Sequence, residues 1–272
     1  MLDINFIRNN RKLVEENNKK RNSKVRVDEI LDLDEKRRKL ITEIDSLKSQ
    51  QNKRSKKKPS ASEIVQLKKL ASKIEKAEKE LKKIEDELFE KMSWLPNLLD
   101  PEVPLGKSDE DNVPIKYWGD VPKFNFEPLS HQELGEALDI IDIQRAAKIT
   151  GSRFYFLKNE GVLLRLALIN FAFDYLKKQG FILMSTPHLA KEQTLFGTGY
   201  LPFFKDDIYK LENEDLSLIG TSEQTLVAYH QDEILSESEL PKLYSAYSQC
   251  FRTEAGSYGK DTKGIFRVHE FM

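Results

Sequence analysis

Between Asp28 and Lys58 the apolar positions Leu33, Leu40, Ile44 and Leu47 stand 7, 4 and 3 residues apart, the a/d rhythm of a coiled coil. Gln51 and Arg54 continue that register in polar form. Pro59 disfavours helix at Lys58 and ends the run. Ser60 to Glu63 reads S-x-x-E, a capping box that opens a second helix. This helix runs to about Met92 on the seam Leu67, Leu70, Ile74, Ala77, Leu81, Ile84 and Leu88. Two helices of about 30 residues and a tight turn predict an antiparallel hairpin roughly 45 Å long at about 1.5 Å per residue. Ahead of it, the apolar cluster Leu2, Ile4, Phe6 and Ile7 and a polar helical stretch from Asn9 to Asn22 read as a packing cap.

The pattern changes after Met92. Trp94 to Leu99 closes the hairpin with apolar packing. Asp100 to Asp120 sets Pro101, Pro104, Gly106, Pro114 and Gly119 among acids, a linker or irregular lead-in. His131 to Gly135 opens a short helix, and His131 reads as structural. Ile149 to Leu157 is a turn and then a strand. Leu163 to Lys178 is an amphipathic helix with Leu164, Ala167, Leu168, Phe171, Ala172 and Tyr175 on one face. Gly180 stops it, and Phe181 to Pro187 is a strand. Gly197 and Gly199 mark a loop, after which Phe203, Phe204, Ile208 and Tyr209 read as hairpin strands. Leu216 to Ile219 is a strand, and Gly220 to Gln224 leads into a helix from Thr225 to Leu235. Thr221-x-x-Gln224 is itself a capping box, and the free N–H groups of a helix start also suit an anion.

The chemistry concentrates in the last stretch, Tyr244 to Met272, two strands around a long polar loop. Period-2 alternation puts Cys250, Arg252 and Glu254 on one face and Phe251 and Thr253 on the other. The loop Ala255 to Gly264 is longer than the about 2–5 residues of ordinary hairpins, which suggests a segment that closes on a ligand. The return strand presents Arg267, His269 and Phe271. Such a set can hold a nucleotide. Arg252 can give a phosphate two N–H donors, Glu254 can accept from an exocyclic amine, and Phe271 can stack on a base. An isolated R-x-E is also the pattern of an ordinary surface ion pair.

Charged residues make up 33% of the chain, and its formal net charge is -1. The average hides a split. Residues 1–105 carry roughly six more Lys/Arg than Asp/Glu, and the remainder roughly seven more acids, so one part suits a polyanion. The excess gathers at the hairpin turn, in Lys48, Lys53, Arg54, Lys56, Lys57, Lys58, Lys68 and Lys69. On charge alone this tip reads equally as a solvated coiled-coil end or as a phosphate-binding surface. The single Cys250 excludes an internal disulfide and suits a reducing cytosol. No run of 18 apolar residues suggests a membrane span, and no secretory signal or dedicated metal cluster is visible.

The run CFRTEAGSYGKDTKGIFRVHEF resembles motif 2 of the class II aminoacyl-tRNA synthetases, and its loop wording is similar to bacterial-type seryl-tRNA synthetases. The helix–Gly–Phe–strand–Pro run ending at Pro187 resembles motif 1 of that class, and PNLLDPEVPLGKSDEDN resembles the same family at the join. The resemblance implies ATP-dependent activation of L-serine to seryl-adenylate and transfer to the 3′ end of serine tRNA, with selenocysteine tRNA also charged. Arg252 and Glu254 would be catalytic. Arg252, Thr253, Glu254, Arg267 and Phe271 would bind ATP with Mg²⁺. Thr221, Ser222 and Glu223 match the Thr-x-Glu serine-binding motif. The basic tip would grip the tRNA, and the chain would form a homodimer through motif 1 near Pro187, in the cytoplasm.

The expected fold is α+β: an antiparallel coiled-coil hairpin, then an incomplete class II synthetase-type antiparallel sheet flanked by helices. The expected domains are a tRNA-binding arm at 1–105, a lead-in at 106–130 and a partial catalytic domain at 131–272. The resemblance also implies a further stretch beyond Met272, with motif 3 and another serine-binding glutamate. The expectation is therefore a truncated fragment that does not aminoacylate alone. Two other readings stand beside it: a tRNA-binding coiled-coil protein without catalysis, and a ligase that loads an amino acid onto a carrier protein.

Overall fold

The computed structural model describes residues 1–55, 61–254 and 264–272. Two compact units emerge, Met1–Trp118 and Gly119–Met272.

In the first unit, α1 (Ile4–Asn9) starts at Asp3, whose carboxylate accepts from the Asn5 and Phe6 amides at 2.8 and 3.0 Å. These are two of the donors that a helix start leaves unpaired. After α2 (Arg11–Lys20) come the hairpin helices α3 (Val27–Ser55) and α4 (Ala61–Ser93). Leu33, Ile44, Leu70, Ile74, Ala77 and Leu88 are buried, as their heptad spacing predicts. The capping box expected at Ser60 lies outside the described residues.

Burial is uneven along the hairpin. Ile7, Val14, Val27, Ile30, Leu33, Leu88, Met92 and Leu95 form one cluster at its base, while Ile64 and Val65 near the turn are exposed. Each fully buried Ile or Leu contributes about 1.5–3 kcal/mol, so the base holds the arm and the tip is free for other work. A charge is buried there too. The Asp34 side chain is 0% exposed and meets Arg8 of α1 at 3.0 Å, Arg38 at 3.0 Å and Arg37 at 3.6 Å. Asn17 performs a parallel service for the irregular chain after α4. Its side chain donates to the Asn97 carbonyl at 3.1 Å and accepts from the Leu99 amide at 2.8 Å, so this backbone is not buried unpaired.

In the second unit, α5 (His131–Ala137) opens on a Ser130–Glu133 capping box. Then follow β1 (Ile141–Asp142), α6 (Ile143–Thr150), β2 (Phe156–Leu157) and α7 (Asn159–Lys178). Next come β3 (Ile182–Ser185), β4 (Leu189–Ala190), α8 (Glu192–Gly197), β5 (Ser217–Leu218) and α9 (Glu223–Val227). The last strands are β6 (Tyr244–Tyr247), β7 (Cys250–Phe251) and β8 (Glu270–Phe271). Three pairs are antiparallel, β1–β2, β4–β5 and β7–β8. The pair β3–β6 is parallel, with Ile182 opposite Tyr244 and Ser185 opposite Tyr247, so the sheet is not wholly antiparallel.

Several local expectations change. Phe203 and Phe204 lie in a turn before a short 3₁₀ segment, Lys205–Asp207, and not in a strand. The helix expected from Thr225 to Leu235 is the shorter α9 followed by a 3₁₀ turn at Ala228–His230. Its β-branched and aromatic residues, Thr225, Val227 and Tyr229, are poor helix formers, and the His230 ring is drawn instead to Glu233 at 2.6 Å and Tyr244 at 2.8 Å. The face of α7 that carries Leu164, Leu168, Phe171 and Tyr175 is exposed, Phe171 by 71%. Among the described residues, no helix is long and apolar enough to cross a membrane.

Candidate functional site

The site is built on the β7–β8 ladder. Cys250 stands opposite Phe271 and Phe251 opposite Glu270. The ladder runs one pair further, because the Arg252 amide donates to the His269 carbonyl at 2.9 Å. The strict alternation expected to Glu254 stops there. The Thr253 amide donates to Asp207 instead, at 3.1 Å, and Glu254 takes a left-handed backbone angle, φ 52°. The loop residues 255–263 lie outside the described residues.

Arg252 is held on several sides. Its Nε donates to the Gly220 carbonyl at 3.1 Å, and its guanidinium lies 5.0 Å from the centre of the Phe271 ring. Burial pushes the Tyr200 phenol up from its usual pKa, and the nearby Arg252 charge works against that rise. Phe251 continues the connection, its amide donating to the Ile219 carbonyl at 2.8 Å. The strand end before Thr221 and the strand that carries Arg252 are therefore one bonded unit.

Arg252, Glu254, Arg267 and Phe271 share the walls of one open cleft of about 640 Å³. Ile140, Leu157 and Leu164 are among its apolar lining. That size and mix of apolar walls with a few converging charges are usual for a small-molecule site. Glu254 and Arg267 form an ion pair across it, where the sequence reading gave each a separate contact with nucleotide. Thr253 is turned away, its hydroxyl donating to the Asp206 carbonyl. His269 also leaves the cleft. Its Nδ1 is 2.9 Å from the Arg252 carbonyl oxygen, and its ring packs 5.3 Å from that of Phe154.

Thr221, Ser222 and Glu223 do not line this cleft. They adjoin it through Gly220. The expected Thr221–Gln224 capping box does not form. The Thr221 hydroxyl accepts from the Glu223 amide at 3.4 Å, and the Gln224 side chain accepts from the Gly220 amide at 3.0 Å. With five residues, α9 is also too short to offer the anion site of a long helix start. Ser222 is bonded to Ser248 at 2.6 Å, and Glu223 is exposed. Sequence reasoning missed Tyr200 and Gln224. The nearby glycines marked a loop at Tyr200 without saying where its ring points, and Gln224 was read as a cap.

At the arm tip the basic residues are not equivalent. Lys48 is bonded across the hairpin to Glu78 at 2.7 Å, and that hydrogen bond and charge raise its pKa. Arg54 donates to Gln66 at 2.9 Å. Lys53, Lys68 and Lys69 are exposed. Lys56, Lys57 and Lys58 lie outside the described residues. Among the described residues no three His, Cys, Asp or Glu side chains gather to hold a metal.

Residues 207–272 match the tRNA synthetase class II core domain (G, H, P, S and T), so the class is that of the class II aminoacyl-tRNA synthetases. Residues 1–99 match the seryl-tRNA synthetase N-terminal domain. A serine–tRNA ligase of Rubrobacter xylanophilus is 43% identical over 279 residues, covering 100% of this chain and 66% of the relative. One of Coprothermobacter proteolyticus is 43% identical over 281 residues, covering 100% and 67%. The crystal structure of seryl-tRNA synthetase from Pyrococcus horikoshii complexed with ATP is similar with a TM-score of 0.88 at 39% identity, covering 100% of this chain and 68% of that one. This chain belongs to the seryl-tRNA synthetase family. It spans about two thirds of the length of the curated relatives it matches, 66% of the first of them.

Proposed function

We propose that this chain serves serine–tRNA ligation. The serine carboxylate attacks the α-phosphorus of ATP, a carboxyl–phosphate bond forms, and pyrophosphate leaves. The 3′-terminal hydroxyl of tRNA then attacks the serine carbonyl and releases AMP. One observation carries the reading: Arg252, Glu254, Arg267 and Phe271, distant or alternating in the sequence, wall a single cleft. Arg252 neutralises charge on the α-phosphate, chemistry that depends on positioning and preorganised donors. ATP displaces the Glu254–Arg267 pair. The carboxylate turns to the adenine amine, the guanidinium to phosphate, and Phe271 offers its face to the base. Mg²⁺ enters with the nucleotide. Thr221 to Glu223 hold serine beside it, and a hydroxyl-reading site rejects alanine. Residues 131–272 supply the motif 1 and motif 2 share of this chemistry, in the cytoplasm where translation runs. Serine-dependent exchange of labelled pyrophosphate into ATP, measured with the chain extended to its relatives' full length, tests the reading. Specific tRNA binding without any exchange in that extended chain would leave a tRNA-binding protein in its place.

The arm, residues 1–105, grips serine tRNA through phosphates. Its affinity falls steeply with salt, and the joint change Lys53→Glu, Lys68→Glu, Lys69→Glu lowers the slope of log K against log salt by roughly three, about one per lysine. Lys48→Ala has a smaller effect, because Glu78 already occupies that ammonium. Filter binding at two salt concentrations reads both. A triple variant that keeps the parental slope removes the arm from the proposal.

The exposed C-terminal half of the apolar face of α7, Phe171 and Tyr175, meets a second copy, together with β3 ahead of Pro187. Light scattering is expected to give twice the 31.6 kDa chain mass, and Phe171→Glu to give the monomer. A parent chain that stays monomeric as its concentration is raised contradicts this arrangement.

A further inference from the structure

We infer that His131 is a positioning residue for Arg267, its imidazole holding the Gly264–Ile265 peptide that leads into the return strand. The Ile265 amide donates to the His131 Nε2 at 3.0 Å, across 134 residues of chain. The approach requires glycine beside it. A Cβ on Gly264 would fall on the His131 Nε2 and Cε1, and Gly264 also takes a left-handed angle, φ 79°. The Phe266 ring meets the imidazole edge-on, with centroids 4.2 Å apart. Three successive residues therefore pack on one histidine. That histidine is firmly mounted. It is the first residue of α5, where the Ser130 Oγ accepts from the Glu133 amide at 3.2 Å and the Glu133 carboxylate accepts from the Ser130 amide at 2.8 Å. Further along α5, Gly135 is buried where a Cβ would overlap Ile141, and its carbonyl accepts from the Ile140 amide at 2.9 Å. Ile140 and Ile141 line the cleft, so through His131 the return strand is tied to the opposite wall.

The return segment has a second anchor, the His269 amide donating to the Arg153 carbonyl at 3.1 Å. Arg267 stands two residues from each anchor, beside the buried Val268, and its guanidinium faces Glu254 in the cleft. A long side chain can be aimed only if its backbone is fixed, and a misplacement of about 1 Å can cost roughly a hundredfold in rate. A histidine that only filled space would need no particular nitrogen. This one turns a lone pair to a backbone donor, and acceptance at Nε2 puts the proton of the neutral ring on Nδ1. His131 lies outside the stretches 1–99 and 207–272 that match the family models. What Arg267 does in the cleft rests on the ligase reading; the anchor itself does not.

The test compares the 272-residue chain with His131→Phe and His131→Gln. Phenylalanine keeps a ring for Phe266 and removes the acceptor. Glutamine removes the ring and keeps an acceptor at a similar reach. NMR reads the anchor without any ligand. At a pH where the ring is neutral, nitrogen-15 shifts of the histidines are expected to show His131 with its proton on Nδ1. Amide exchange at Ile265 should speed up about fivefold in His131→Phe, the loss of one neutral hydrogen bond, and stay within about twofold of the parent in His131→Gln. A packing role predicts the reverse order. In the chain extended to its relatives' full length, His131→Phe should raise the KM for ATP about fivefold and leave the KM for serine unchanged, with His131→Gln close to the parent. A parent ring protonated on Nε2, or exchange at Ile265 equal in all three chains or fastest in His131→Gln, overturns the inference and leaves His131 a packing residue. The expected exchange order with an unmoved KM for ATP overturns the link to Arg267. That order in a chain whose extended form never activates serine upholds the anchor and defeats the ligase reading.

Discussion

Asp34→Ala is expected to lower the stability of the N-terminal unit by about 3 kcal/mol, the low end of what breaking a buried ion pair costs. The carboxylate is wholly buried and is shared by Arg8, Arg37 and Arg38. Its removal leaves three guanidinium groups facing one another around a small void at the root of the hairpin. They are partly exposed and can regain water, which keeps the cost from the upper end. The contact with Arg8 joins α1 to α3, so the loss is tertiary as well as local. Urea unfolding followed by helical ellipticity measures it. Asp34→Asn should recover part of the loss, since it keeps the size and a polar acceptor. A midpoint for Asp34→Ala equal to that of the parent would mean that the apolar cluster alone holds the base.

The second large effect concerns chemistry. In the chain extended to its relatives' full length, Arg252→Ala is expected to reduce serine-dependent pyrophosphate exchange about a hundredfold or more, the usual loss when one preorganised donor at a developing charge is removed. Arg252→Lys should not restore it. The ammonium cannot reproduce the planar contact with Gly220, nor lie over Phe271 as the guanidinium does. Arm function supplies the internal control, since tRNA binding should be the same in the parent and both variants. Exchange that survives in Arg252→Ala would separate the cleft from the reaction.

Local periodicity accounts for most of the arm. A hairpin seam is a repeat of apolar residues within one or two turns, and such contacts need no knowledge of distant residues. The same reasoning was weaker at α9, where the pattern Thr221-x-x-Gln224 was read as a cap. Gln224 turned instead to the Gly220 amide, a choice made by burial of its side chain. It also extended the alternation of β7 past Arg252. The pull that ends it, the bond from the Thr253 amide to Asp207, comes from 46 residues away (253 minus 207) and leaves no local mark.

The sequence by itself determined the two-helix arm, its basic turn, the resemblance to class II synthetases and the residue types able to handle a nucleotide. These rest on spacing and on chemical identity, both of which are one-dimensional. Only the tertiary structure decided which of those residues meet. It paired Glu254 with Arg267, seated Arg252 between Gly220 and Phe271, turned Thr253 out of the cleft and tied Lys48 to Glu78. Each is a contact between different segments of the chain. Its geometry follows from how strands and loops pack around a shared core, and not from any preference of the residues involved.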